Sequence, residues 1–211
     1  MEIITTVNGD YKFYPTTLYY GRKVLNKKVS KHNLLTFKEC LDFYDVKFGI
    51  IYGTLLGAVR EKDFIEHDED TDTYILEKDR ERLLALLFEL RKSGFEVARY
   101  ENSLLSLIRD GDYIDVYIFK KNIFNVYICN GYIVKSKYMH KFSTVSFLEQ
   151  RFNTLRYPIS FLENVYGKDW RVPKKGFNAR TYQSFENIAR LVKVCLPESI
   201  VRKLRLLIKG L

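Results

Sequence analysis

The chain has 211 residues, 46% of them apolar and 15% aromatic, which suffices for one domain, or a domain with a small appendage, around an ordinary core. With 11 glycines and 4 prolines it fits no fibrous or low-complexity class, and no stretch reaches the roughly 18 apolar residues of a membrane-spanning helix. The net charge of +9 is unevenly placed: residues 168–211 hold 11 Lys/Arg against 3 Asp/Glu, so the other 167 residues carry only +1.

A basic tail of this kind suits an anionic partner such as a membrane surface, a nucleic acid or a polyanionic substrate, or else it is a solvated helix face. Cys40, Cys129 and Cys195 are odd in number and lack metal-ligand spacing, so a reduced, intracellular protein is expected. The N-terminus shows no basic region followed by an apolar one, and no signal peptide is expected.

Residues 1–30 mix short apolar and polar pieces without a clear period. From Asn33 to Tyr44, Leu34, Leu35, Phe37, Cys40, Leu41 and Tyr44 recur at helical spacing. Phe48–Tyr52 reads as a short buried strand, and Gly53–Gly57 turns into a brief helix carrying Ala58, Val59 and Arg60. A loop, Glu61–His67, leads to the acidic run His67-Asp68-Glu69-Asp70-Thr71-Asp72, which continues as a strand through Tyr74-Ile75-Leu76. Residues 78–93 read as one helix with Leu83, Leu84, Leu86, Leu87 and Leu90 on its apolar face, ended by Ser93-Gly94. Strands follow at 95–100, 104–109 and 113–119, the last two joined through Asp110-Gly111-Asp112. Residues 122–129 and 132–134 flank Asn130-Gly131, a strong hairpin signal. Beyond Lys135 the chain reads as loops and helices, with final helices at 184–195 and 198–210. The order predicts an α+β fold around a mixed sheet.

The acidic run holds the chemistry. Along a strand alternate side chains share a face, so Asp70 and Asp72 point the same way. Two carboxylates held together repel, and a divalent cation between them relieves the repulsion. Hard oxygen donors suit Mg²⁺ or Mn²⁺, with substrate phosphate supplying further ligands. A third carboxylate, Asp115, lies in the apolar strand Tyr113–Tyr117, where a charge needs a cation or a salt-bridge partner. If that strand pairs beside Asp72, the three acids suit metal-assisted attack of a hydroxyl on phosphorus. Gly53-Thr54 opens a helix after a buried strand, where backbone N–H groups favour phosphate. Other readings stand beside these: a solvated acidic loop, an arginine partner for Asp115, and a calcium loop starting at Asp68. The last is weakened by Thr73 in place of the turn glycine and Asp79 in place of the bidentate glutamate. His67 has no Cys or His at zinc-ligand spacing.

Tyr52-Gly-Thr-Leu-Leu-Gly-Ala-Val-Arg60, Asp63-Phe-Ile65 and Asp68-Glu-Asp-Thr-Asp72 together resemble the LicD family of phosphocholine transferases, in which a GTLLGAVR-type segment leads to a WDDDID-type run. Fukutin-type phosphoribitol transferases are related to that family. Downstream, Tyr157-Pro158, Leu162, Tyr166-Gly167, Trp170 and Pro173 are similar to its closing segment, so the likeness spans about residues 45–175. The resemblance implies a nucleotidyltransferase-like mixed β-sheet core flanked by helices, with a helical basic C-terminal segment. It places Gly53, Thr54 and Arg60 at the nucleotide phosphates, Arg60 alternatively in a salt bridge to the acidic run. It gives Asp70 and Asp72 to Mg²⁺ or Mn²⁺, and makes Asp115 the third acid, a metal ligand or the base for the acceptor. His67, Glu69 and Thr71 depart from the family's tryptophan, second acid and apolar residue, and Lys62-Asp63 stands where Lys-Gly is usual. These departures bear on the transferred group.

The expected organisation is an N-terminal extension, 1–30, packed on the core; a catalytic domain, 31–175; and a basic helical segment, 176–211. The expected activity moves a phosphate-linked group, phosphocholine or a similar substituent, from a CDP-linked donor to a hydroxyl of a glycan or lipid-linked glycan. The alternatives are nucleotide transfer from an NTP to RNA, protein or a small molecule, and a catalytically inactive nucleotide- or glycan-binding module. Residues 198–210 place Ile200, Val201, Leu204, Leu207 and Ile208 mainly on one face with cations opposite, which suits peripheral contact with an anionic membrane from the cytoplasmic side. Packing against the body is the other reading, and nucleic acid is the lesser partner.

Overall fold

The computed structural model describes residues 1–19 and 21–173. A hairpin of β1 (Glu2–Thr6) and β2 (Gly9–Phe13) precedes helix α1 (Lys27–Phe43). Then come β3 (Gly49–Ile50), α2 (Tyr52–Arg60), β4 (Thr71–Leu76), a 3-10 turn (Glu77–Asp79), α3 (Arg80–Ala85) and α4 (Leu87–Lys92). Strands β5 (Glu96–Glu101), β6 (Leu104–Arg109), β7 (Asp112–Lys121), β8 (Val126–Cys129) and β9 (Tyr132–Lys135) follow. The short α5 (Ser136–Met139), β10 (Phe142–Phe147), β11 (Gln150–Leu155) and α6 (Pro158–Tyr166) complete the described chain.

The main sheet runs β10-β11-β3-β4-β7-β6-β5, with β8 and β9 continuing from the end of β7. It is mixed: β4 with β7 and β11 with β3 are parallel, and the other pairs are antiparallel. The first eight residues of the central strand β7 are all buried, as a strand covered on both faces requires. Tyr117 shares a face with Asp115, two residues before it, and its ring meets Tyr52 of α2 with centroids 5.2 Å apart. Helix α2 therefore covers the face of the sheet that carries the acids.

Helix α1 begins earlier than its apolar period suggests because Asn26 caps it, its Oδ1 accepting from the N–H groups of Lys28 and Val29. Its first turn thus lies within the segment taken as an extension. That segment also contributes Ile4, Tyr11 and Phe13 to the core. The Asp110-Gly111 and Asn130-Gly131 turns form as predicted, with positive φ at all four residues.

Two expectations are corrected. The single helix over 78–93 is two helices parted at Leu86, whose N–H is shared between the carbonyls of Arg82 and Leu83, at 3.2 and 3.0 Å. This 3-10 tightening lets Leu84, Leu86 and Leu87 all reach the core. The region after Lys135 is not only loop and helix: β10 and β11 form a hairpin that adds to the sheet edge beside β3. Its turn is Leu148-Glu149, with φ of 52° and 65°, so the usual Asn or Gly signal is absent. The helices expected at 184–195 and 198–210 lie outside the described residues.

Candidate active site

Strand β3 leads directly into α2, and this junction is bonded to Asp72. Ile51 N–H donates to the Asp72 carbonyl at 3.1 Å, Gly53 N–H to Asp72 Oδ2 at 2.8 Å, and Asp72 N–H to Thr54 Oγ1 at 2.8 Å. The first turn of the helix and the acid are one unit. Thr54 is fully buried, so its hydroxyl serves the Asp72 backbone. Asp72 is the second residue of β4 and Asp70 immediately precedes the strand; both are buried. A Cβ at Gly53 would stand 2.7 Å from Asp68 Oδ2 and 3.1 Å from Asp72 Oδ2, so only glycine lets both carboxylates approach this backbone. Tyr52 just before it has φ of 43°, a left-handed conformation that costs roughly 1–2 kcal/mol outside glycine. Its ring is held by Tyr117, Tyr132 and Phe161, with centroids 5.2, 5.6 and 5.8 Å away.

Asp115 lies directly beside Asp72 across the parallel β4–β7 pair. The lateral row continues through Ser106 on β6 to Arg99 on β5. Residues facing one another across paired strands share a face, so Asp72, Asp115, Ser106 and Arg99 form one line of polar side chains. Arg99 Nη2 donates to both oxygens of Asp115 at 3.2 Å, Arg99 Nε donates to Ser106 Oγ at 3.1 Å, and the Ser106 hydroxyl donates to Asp115 Oδ1. The strand pairing needed for a third acid is present, and so is the arginine partner.

Arg60 ends α2. Its Nη1 donates to the Trp170 carbonyl at 3.2 Å, and its Nε and Nη2 bind Glu61. It ties the glycine-bearing helix to the closing segment after α6. The other members of the acidic run divide. Glu69 anchors the N-terminal loop, accepting from Gly21 N–H at 2.8 and 2.9 Å. Asp68, to which sequence reasoning gives no more than a loop role, brings its Oδ2 to Gly53. Tyr166 also belongs here: burial, then the charges of Asp72, Asp68 and Asp70, push its phenol well above the usual tyrosine range. Its only sequence signal was its place in the Tyr-Gly motif. His67 is exposed beside Glu66. A calcium loop is excluded because residues 71–76 are a strand.

The donors around α2 are hard carboxylate oxygens, the chemistry that Mg²⁺ and Mn²⁺ prefer. Among the described residues no three His, Cys, Asp or Glu side chains are grouped as a ligand set. The residues present therefore fit an ion that takes one or two protein carboxylates and completes its shell with phosphate oxygens and water, as Mg²⁺ ordinarily does.

Comparison with known proteins gives a family and a shared fold. The family described as LicD/FKTN/FKRP, nucleotidyltransferase domain, matches residues 45–166. An uncharacterized protein of Rickettsia prowazekii (strain Madrid E) is 32% identical over 104 residues, 49% of this chain and 38% of that protein, so the match spans well under half of the relative's length. The solution structure of the antibiotic-resistance factor ANT(2″)-Ia shares the fold, with a TM-score of 0.52 at 12% identity over 88% of this chain and 94% of that one. The lincomycin-bound lincosamide antibiotic adenylyltransferase LnuA matches 64% of this chain and 82% of its own at 14% identity, with a TM-score of 0.45.

Proposed function

The chain belongs to the LicD/FKTN/FKRP nucleotidyltransferase-domain family, and from that premise we propose that it transfers a phosphate-linked group, phosphocholine or a close analogue, from a CDP-linked donor to a hydroxyl of a glycan or lipid-linked glycan. The observation that carries this reading is the bonded unit of Gly53, Thr54 and Asp72, which sets a helix N-terminus against a buried Asp-x-Asp pair. Helix N-termini attract phosphate, and paired carboxylates attract the cation that accompanies it.

In this reading Asp70 and Asp72 hold Mg²⁺ or Mn²⁺. The ion, when bound, neutralises the donor's phosphate oxygens and makes phosphorus more electrophilic. The chain does the rest by position. Gly53 keeps the approach to the helix N-terminus free of a side chain. Thr54 fixes the backbone of Asp72, and Asp115 stands beside it on β7. Arg60, held at the end of α2, offers a cation to the phosphates. Tyr166, kept protonated by burial and the neighbouring acids, offers a hydroxyl proton beside them. The basic stretch 168–211 rests on an anionic membrane or its lipid-linked glycan on the cytoplasmic side. Among the described residues no helix is long and apolar enough to cross a membrane.

A thermal-shift screen tests the donor class. CDP-choline, CDP-ethanolamine, CDP-ribitol, CDP-glycerol and the NTPs are each added with Mg²⁺. At least one CDP-linked compound should raise Tm in the wild type and fail to do so in Asp70→Asn/Asp72→Asn. A shift with NTPs alone, together with label passing from the base moiety to an acceptor, would establish nucleotide transfer instead. Binding without turnover of any donor would mark an inactive module. Vesicle co-sedimentation checks the membrane contact: the full chain should pellet with anionic vesicles and a chain ending at residue 196 should not. Equal pelleting removes that part of the reading.

A further inference from the structure

The row that starts at Asp72 ends on Arg99, a residue for which neither the family motifs nor the proposed chemistry has a use. Asp115 is fully buried, and Arg99 contacts both of its oxygens while Ser106 contacts one of them. The arrangement is built into the strand register, since Arg99 faces Ser106 and Ser106 faces Asp115. Neighbouring strands lie about 4.8 Å apart, so a side chain on β5 must cross the width of β6 to reach β7. Arginine is long enough, and its planar fork binds Ser106 with one nitrogen and Asp115 with another. Serine at the crossing point is small enough to let it pass, and its hydroxyl adds a donor. Both ends of this bridge are sheltered, the Arg99 side chain being 20% exposed and that of Asp115 not at all.

A further carboxylate on the strand beside a metal-binding pair would ordinarily suit a second divalent ion. Here the third carboxylate already has a monovalent cation. We propose that Arg99 is the built-in second cation of this site: it occupies Asp115 in place of a second divalent ion, so the enzyme works with one ion per chain, at Asp70 and Asp72. Arg99 is a positioning residue, acting through Asp115. A fixed guanidinium repels a further dication and withdraws from it the carboxylate it would need. This inference rests on the metal reading given above and makes a separate statement about ion number.

The test counts ions. The full chain is titrated with Mn²⁺ in the presence of saturating CDP, and bound ions are counted by electron paramagnetic resonance of the free Mn²⁺ and by equilibrium dialysis. One ion per chain is expected for wild type and for Arg99→Lys, which keeps the charge. Arg99→Gln should take up a second ion, and adding Asp115→Asn should abolish that second ion. Two ions in the wild type overturn the inference and leave the metal reading intact. No ion in the wild type overturns both. A single ion in Arg99→Gln with a native circular dichroism spectrum also overturns it. If Arg99→Gln does not fold, the wild-type and Arg99→Lys counts still decide.

Discussion

At Gly53 a hydrogen atom in place of a methyl group leaves room for two carboxylates against the first turn of α2. A Cβ there would press on the Asp68 and Asp72 carboxylates, which are side-chain ends able to swing away. Gly53→Ala should therefore fold, with Tm close to wild type, and bind Mn²⁺ with CDP at least about tenfold more weakly, since displacing the Asp72 carboxylate from the ion costs roughly 1.4 kcal/mol or more. Calorimetric titration measures it, and wild-type affinity would contradict the role assigned to this backbone. Thr54→Val keeps the side-chain shape but leaves the buried Asp72 N–H without its acceptor. A loss of about 1–3 kcal/mol in urea unfolding is expected. Gly53-Thr54 and the Asp70/Asp72 pair were legible because each pair is local in the chain and its spacing has a simple geometric meaning. Arg99 and Ser106 were not legible. Their relation to Asp115 depends on which residues face one another across three strands, and the pairing register of β5 with β6 includes a bulge between Val97 and Arg99.

Among the elements, those with strong local signals formed where expected. The two Asp/Asn-Gly hairpins and the glycine stop before β5 are of this kind, with φ of 89° at Gly94. The β10–β11 hairpin is the converse case. Leu148 and Glu149 adopt the left-handed conformations of a type I′ turn without the residues that favour it, each at a cost of roughly 1 kcal/mol. Leu148→Asn/Glu149→Gly should raise stability by about 1–2 kcal/mol, read as a higher Tm, with no change in activity. No gain would mean that the turn is held by contacts of the native side chains. Helix α1 depends on a distant acid as well as its own cap. Asp112, at the start of β7, accepts from Asn26 N–H at 2.7 Å, from the Ser30 hydroxyl at 2.9 Å and from Lys23 Nζ at 2.9 Å. Asp112→Ala strands these donors and removes a negative charge from the N-terminal end of α1, so a loss of about 2–4 kcal/mol is expected in denaturant unfolding. A change within 0.5 kcal/mol, roughly the scatter of neutral surface substitutions, would show that water replaces the carboxylate.

Over the whole molecule, stability should fall on the alkaline side for an identifiable reason. Burial, and after it the charge of Glu96, pushes the Tyr11 phenol up to about 12, and burial raises Tyr74 further. In the unfolded chain tyrosines ionise near pH 10. Below that pH both states keep their protons and the contribution is fully present. As pH rises from about 10 through the folded-state values, only the unfolded chain releases protons, so stability declines. Urea midpoints at pH 9 and 11.5 should show this decline, and Tyr11→Phe should reduce it. An equal decline in Tyr11→Phe would remove Tyr11 as its source.

The sequence by itself determined the α+β class, the family, the helix-opening Gly53-Thr54 and the Asp70/Asp72 pair, because each rests on neighbours along the chain or on a period set by backbone geometry. It also determined the concentration of positive charge after Trp170. Only the tertiary structure decided that Asp68 and Tyr166 join the acids, that Glu69 is an anchor for the N-terminal loop, that β10 and β11 extend the sheet, and that Asp115 faces Arg99. These follow from strand order, register and the close approach of segments far apart in sequence, and no local propensity encodes them.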